Sequence, residues 1–300
     1  MKTRFILTAM VLSALTASAQ PEQETTKDYE LMGPVESCKT TFASIGKKPQ
    51  DRFEMGYGND FDKEGRVSGW SFDLGFLGLM SNGTYIRDEN GMIVEERQAN
   101  DEGSTLKATY VYNEADLLVE YISFYSDSTI DSKNLLTYND QNQLVKKDTY
   151  YGESDEVSVT YKYEYDSRGY LKEAVEDWGY TIETYRYAYD NEGNETEVHY
   201  TTTNPEDEGK SNYSSYTEYD ADGRWIKTVN KNYKGQITSY STREFDNEGK
   251  QTFQYNYSPK GKVTSYTVYI EHDRAGNWIE SVTYSGKKIT SAESRRISYY

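Results

Sequence analysis

From Val157 to Tyr165 the chain reads Val-Ser-Val-Thr-Tyr-Lys-Tyr-Glu-Tyr, with apolar or aromatic residues at every odd position and polar residues between them. That is a period of two, which puts one set of side chains on one face of a strand, and not the 3.6 of a helix. The stretch Thr181 to Tyr189 repeats the alternation in its second half, where Tyr185, Tyr187 and Tyr189 share a face that Thr181 and Glu183 open as polar residues. Leu117 to Tyr125 behaves differently: Leu117, Val119, Tyr121 and Tyr125 occupy one face while Leu118, Ile122 and Phe124 occupy the other, so cover is expected on both sides. Turn residues interrupt these segments at short intervals. Short turns force neighbouring strands to run antiparallel.

The punctuation is periodic. After about residue 60 a unit recurs: an aromatic, Asp or Asn, two polar residues, Gly, one residue, and usually an apolar one. It reads Phe61-Asp62-Lys63-Glu64-Gly65-Arg66-Val67, Tyr165-Asp166-Ser167-Arg168-Gly169-Tyr170-Leu171 and Tyr219-Asp220-Ala221-Asp222-Gly223-Arg224-Trp225. The marker positions are Gly65, Gly91, Asp116, Asn142, Gly169, Gly193, Gly223, Gly249 and Gly276, which sets a period of about 26 residues. Asp116 and Asn142 are informative because Asp and Asn are the non-Gly residues that best tolerate a left-handed backbone; the position therefore calls for positive φ. A looser second turn falls near Gly103, Gly235, Gly261 and Gly286, and the longer step from Gly193 to Gly223 reads as a lengthened hairpin loop. Two turns per unit leave two strands per unit, about eighteen in all. The expected fold is an all-β antiparallel meander. At about 4.8 Å per strand such a sheet would be roughly 85 Å across, so it is expected to curl or spiral until its Tyr faces find cover. A β-propeller with two repeats per blade is the alternative.

On these residues, the Tyr-Asp-x-x-Gly units of 61–300 resemble the YD repeats of the Rhs family and of exported YD-repeat proteins of the Bacteroidetes. The segment Leu31-Met32-Gly33-Pro34-Val35-Glu36-Ser37 is similar to the opening of the latter. The resemblance implies a strand-turn-strand unit and does not extend to the toxin role of the large Rhs proteins.

The organisation outside the repeats is read from charge and hydropathy. Lys2 and Arg4 precede an apolar run from Phe5 to Leu15 and the small residues Ala17, Ser18 and Ala19, the pattern of a signal peptide cleaved after Ala19. Residues 1–19 are thus expected to direct export to the periplasm or beyond, 20–30 to form a flexible linker, 31–60 an N-terminal capping segment, and 61–300 the repeat array. No later stretch reaches the roughly twenty apolar residues of a membrane helix, so no membrane span is expected and the mature chain is expected to be soluble. With 33 Lys and Arg against 50 Asp and Glu, the formal charge of −17 repels phosphate backbones and argues against nucleic acid as a partner. Cys38 is the only cysteine, so no internal disulfide is possible and it reads as a small buried hydrophobe.

Candidate chemistry is sparse. The two histidines are His199, on a strand-like stretch, and His272, in the aromatic slot of a repeat. Acidic turns such as Asp220-Ala221-Asp222-Gly223 hold fragments of a calcium loop without its twelfth-position Glu, and read as Asx turns. No metal or cofactor is expected. Of the four Trp, Trp225 and Trp278 fill the slot after the turn, which Val67 and Leu171 fill elsewhere, and are assigned to the core. That leaves Trp70, Trp178 and Tyr180 as candidates for stacking on a glycan or an envelope protein. The expected role is a non-enzymatic interaction or scaffold module. The alternative is a glycan-active enzyme built on a carboxylate pair, which would need an enclosed pocket and raised carboxyl pKa values.

Overall fold

A computed structural model describes residues 26, 29, 31–45, 53–74, 79–100, 105–125 and 127–300. The expected signal peptide, most of the 20–30 linker and Gly103 lie outside the described residues. Each repeat turn is built the same way. In the first, the Asp62 N–H donates to the Arg66 carbonyl, the Gly65 N–H donates back to the Asp62 carbonyl, and Asp62 Oδ1 accepts the N–H groups of Glu64 and Arg66 at 3.0 and 2.9 Å. This is a type I turn closed by a residue in the left-handed region that forms a bulge. The nine marker residues all have positive φ, from 58° at Asp116 and 60° at Asn142 to 95° at Gly276. The Asp or Asn side chain that opens the turn fastens it, so the acidic turns are Asx turns.

The described residues form twenty strands: β1 Val35–Ser44, β2 Phe53–Phe61, β3 Val67–Leu74, β4 Leu79–Arg87, β5 Ile93–Asn100, β6 Thr105–Tyr112 and β7 Leu118–Phe124. There follow β8 Ile130–Tyr138, β9 Leu144–Tyr151, β10 Val159–Tyr165, β11 Leu171–Asp177, β12 Ile182–Tyr189, β13 Glu195–Thr202 and β14 Tyr213–Tyr219. The last six are β15 Trp225–Asn232, β16 Ile237–Phe245, β17 Gln251–Tyr257, β18 Val263–His272, β19 Trp278–Ser285 and β20 Lys288–Tyr299. Each pairs antiparallel with its chain neighbour, and no helix occurs among the described residues.

The expectation of an open curled or spiralling sheet, and its propeller alternative, are both corrected here. β1 pairs with β2 on one side and with β20 on the other, Cys38 opposite Ile297 and Thr40 opposite Arg295, so the sheet closes into a twenty-stranded up-and-down barrel. Closure removes both free edges, which a spiral would leave exposed. The segment 31–60 supplies β1 and nearly all of β2, the strands that complete the ring. Cys38 is buried there.

Register sorts the wall into two faces. Ala108 stands opposite Glu96 and Ser123, Asn134 opposite Tyr121 and Thr149, and Thr149 opposite Val159. Directly opposed residues share a face. Thr40, Ala108, Tyr110, Ser132, Asn134, Thr149 and Val159 are buried and all belong to that face. Crowding of this kind marks the concave side, so this face lines the lumen. The other face carries charge: Glu95 with Arg97, Lys133 with Glu120, Lys146 with Asp148, Arg186 with Glu173 and Lys227 with Glu218.

Candidate ligand site at the barrel rim

The nine repeat turns and both ends of the described chain lie at one rim, where each repeat contributes two side chains to the lumen: the residue before the turn, an aromatic except at Arg87, and the first strand residue after it. Over β5, β7 and β9 the second of these is Ile93, Leu118 or Leu144, all buried, and together with Ala108, Tyr110 and Leu136 they make a continuous apolar belt. The aromatic is Tyr because its hydroxyl is used. Tyr112, Tyr138 and Tyr165 donate to the carbonyls of Ile93, Leu118 and Leu144, at 2.8, 2.7 and 2.8 Å. Each such bond ties one repeat to the slot residue of the repeat before it.

The arc from β14 to β19 breaks this pattern. There the post-turn slot holds Trp225, Gln251 and Trp278, and the pre-turn aromatics are Tyr219, Phe245 and His272. Tyr219 still donates to the Glu195 carbonyl at 2.8 Å, whereas Phe245 has no hydroxyl to give. In place of the belt is a cavity of about 420 Å³, with these six residues among its walls. The Arg243 guanidinium lies over the Trp225 ring at 3.8 Å, that of Arg295 over the Trp278 ring at 3.6 Å, and Tyr269 meets Trp278 edge-on at 5.5 Å. The side-chain nitrogens Gln251 Nε2, His272 Nε2 and Arg295 Nε are buried without a hydrogen-bond partner. Asn277 closes the upper edge, accepting the Met32 N–H and donating to the Met32 carbonyl and the Tyr299 hydroxyl. The rim carboxylates face their own turns: the backbone N–H of Lys250 holds the Asp246 carboxyl below its ordinary range. Desolvation pushes Asp220 up, but its bonds from Arg224 outweigh that and leave it lowered.

The three stacking candidates are not brought together. Trp70 is on the lumen face of β3, its ring flat on Gly83 and its Nε1–H donating to Glu96 at 3.0 Å. Trp178 and Tyr180 sit in the β11–β12 turn at the opposite rim, Tyr180 being 77% exposed. Eight strands separate β3 from that turn, close to half the circumference. His199 lies on the outer wall, 3.0 Å from Glu197. Trp225 and Trp278, assigned to the core from the sequence, are half-buried cavity walls, and Gln251 was not selected at all. The available signal was the run of four consecutive repeats, with Glu195, Trp225, Gln251 and Trp278, in which the post-turn slot is no longer aliphatic.

A second polar group lies on the lumen wall. Glu176 is directly opposite Glu183 and beside Tyr161, whose ring carries Lys147 Nζ at 3.9 Å. Burial, and then the Glu183 charge, push the Glu176 carboxyl up. Burial lowers Lys147. Among the described residues no group of three His, Cys, Asp or Glu side chains gathers to hold a metal.

No family model matches the chain, and no curated protein does. Among solved structures, a porin-like protein from Bacteroides uniformis ATCC 8492 is similar at 12% identity and a TM-score of 0.39, over 89% of this chain and 98% of that one. A porin-like protein from Bacteroides vulgatus ATCC 8482 is similar at 14% identity and a TM-score of 0.29, over 69% and 95%. TcdB2-TccC3-TEV is similar at 9% identity and a TM-score of 0.28, over 84% of this chain and 18% of that one. The closure of the barrel is read from the strand pairing itself.

Proposed function

We propose that this chain is an exported, water-soluble barrel that works as an interaction module, holding a glycan at the β14–β19 rim without transforming it. The outer wall is the observation that carries the reading. A barrel in a bilayer presents an apolar band about 25 Å tall, where a Lys or Arg at the midplane costs about 2–4 kcal/mol. In this wall Lys133, Lys146, Arg186 and Lys227 stand within their strands on the outward face, each paired with a carboxylate. Water suits such a surface and lipid does not. The signal-like residues 1–19 support export. The cavity supports binding: aromatic faces pack against the C–H faces of a sugar ring, and N–H groups donate to its oxygens.

The exported chain, purified without detergent, is expected to stay monodisperse and to partition into the aqueous phase of Triton X-114. Partition into the detergent phase would overturn the soluble reading. On a glycan array, Trp225→Ala and Trp278→Ala are each expected to weaken binding by about 1–3 kcal/mol with the fold retained. Unchanged binding in both variants would move the site elsewhere. Turnover of a bound glycan, abolished by Glu176→Gln, would establish the carboxylate-pair enzyme instead.

A further inference from the structure

We infer that the rim opposite the repeat turns docks on the same rim of a second copy of this chain, the two barrels meeting end to end about a two-fold axis. The two rims of one barrel differ in what they show to water. None of the nine repeat turns has an exposed large apolar side chain. At the other rim each of the seven hairpins from β7–β8 to β19–β20 has one, a tyrosine in the first five and then Val263 and Ile289. Exposed apolar groups gathered along one end of a molecule mark an interaction surface.

Charge decides the occupant. The β9–β10 hairpin carries Glu153, Asp155 and Glu156, and the β13–β14 hairpin carries Glu206, all exposed. The next three hairpins are basic. Tyr233-Lys234-Gly235-Gln236, Ser258-Pro259-Lys260-Gly261-Lys262, and Gly286-Lys287 with Lys288 opening β20 contain no acid, in a chain of formal charge −17. Lys260, Lys262, Lys287 and Lys288 are exposed, and none of the four pairs with a carboxylate among the described residues. An anionic lipid surface would attract the basic arc and repel the acidic one, whereas a second copy answers both. A two-fold axis in the rim plane, passing between β14 and β15, lays β13–β14 on β15–β16, β11–β12 on β17–β18 and β9–β10 on β19–β20. Glu206 then meets Lys234, and the acids of β9–β10 meet Lys287 and Lys288. Tyr180 meets Val263, and Tyr151 meets Ile289. Because such a contact is isologous, every pairing is made twice. The candidate ligand cavities are left open at the two far ends.

Exchange of charge between the arcs is the test. Sedimentation equilibrium of the exported chain at low ionic strength is expected to show a dimer that weakens as salt is added. Lys287→Glu with Lys288→Glu, at exposed positions, is expected to raise the dissociation constant about tenfold or more while leaving the unfolding temperature unchanged. Glu153→Lys with Asp155→Lys should do the same. The four substitutions together, which swap the signs of the two hairpins, are expected to restore the dimer. A wild-type chain that stays monomeric would overturn the inference, and its flotation with phosphatidylglycerol vesicles would give the rim to a membrane instead. A dimer indifferent to both reversals would place the contact elsewhere on the barrel and overturn it too. Loss in each reversal without recovery in the fourfold variant would overturn the pairing of these hairpins about the axis between β14 and β15.

Discussion

Two arcs of one rim, built from the same repeat, have been put to different uses. From β5 to β9 the post-turn slot is Ile93, Leu118 or Leu144, and Tyr hydroxyls clamp it from the next repeat. From β15 to β19 the slot is Trp225, Gln251 or Trp278, and the wall opens into a cavity. The lumen surface changes with it. In the first arc the interior face carries Tyr110 and Tyr121, with Tyr163 of β10 beside them, whereas in the second it carries hydroxyls and amides, with Thr267 bonded to Thr283 and Asn256 to Ser265. Away from the rim cavity, four tyrosines of the second arc stand on the outer face instead, Tyr240 stacked on Tyr257 at 4.4 Å and Tyr266 on Tyr284 at 5.0 Å. A single-residue change of frame exchanges the two faces of a strand. The turns hold the ring; what lies between them is free to diverge.

The sharpest way to break the comparison is to truncate one slot residue in each arc. Leu118→Ala removes a fully buried side chain from the belt and is expected to cost about 2–5 kcal/mol in denaturant unfolding. Gln251→Ala, at the cavity wall, should cost well under 1 kcal/mol, since it removes an unpartnered group. Similar losses at the two positions would show that the arcs are equally packed. The turns should respond alike in both arcs: Gly223→Val, which places a β-branched residue at a φ of 77°, is expected to destabilise by about 1–3 kcal/mol, and so is Gly169→Val at 91°. A smaller change tests the clamp. Phe245→Tyr restores the hydroxyl that reaches a slot carbonyl elsewhere and should add about 1 kcal/mol, while Tyr138→Phe should remove about as much. No gain at Phe245 would mean that Arg224, whose guanidinium lies 4.7 Å over its ring, already fixes that position.

The strands and turns were legible because their rules are local. Val159–Tyr165 is a strand whose Val159, Tyr161 and Tyr163 face the lumen as the alternation requires, and each marker residue takes the backbone that Gly, Asp or Asn alone takes readily. The two-faced reading of Leu117 to Tyr125 has a physical cause. The bulge opposite Val111 and Tyr112 shifts the frame by one residue, so that Leu118 joins Tyr121 in the lumen belt while Ile122 and Phe124 stay outside. Closure was not legible, since the β1–β20 pairing joins residues such as Cys38 and Ile297 from opposite ends of the chain and leaves no periodic trace. The cavity was hidden for a different reason. Trp225 and Trp278 share their slot with Val67 and Leu171, and the alternation of the sequence does not mark that Arg243 and Arg295, on the adjacent strands β16 and β20, lie over their rings.

The smallest expected effect separates the two kinds of carboxylate by pH. The turn residues Asp246 and Asp190 are held below their ordinary range, Asp246 first by the Lys250 N–H and Asp190 first by the Asn194 side chain. A group whose folded pKa is depressed binds fewer protons in the folded state, so its contribution is present above the unfolded value near 3.8 and is lost as pH falls through the folded one. Glu176 has the opposite sign. Burial raises its carboxyl, the folded state holds the proton longer, and stability falls as pH rises above the unfolded value near 4.5. Glu176→Gln is therefore expected to melt higher than wild type at pH 7 and level with it at pH 4, whereas Asp246→Asn should melt lower at pH 7 and converge on wild type near pH 3. A Glu176→Gln gain that persists unchanged at pH 4 would show that the substitution acts through packing, and would remove the charge of Glu176 from the account of the lumen wall.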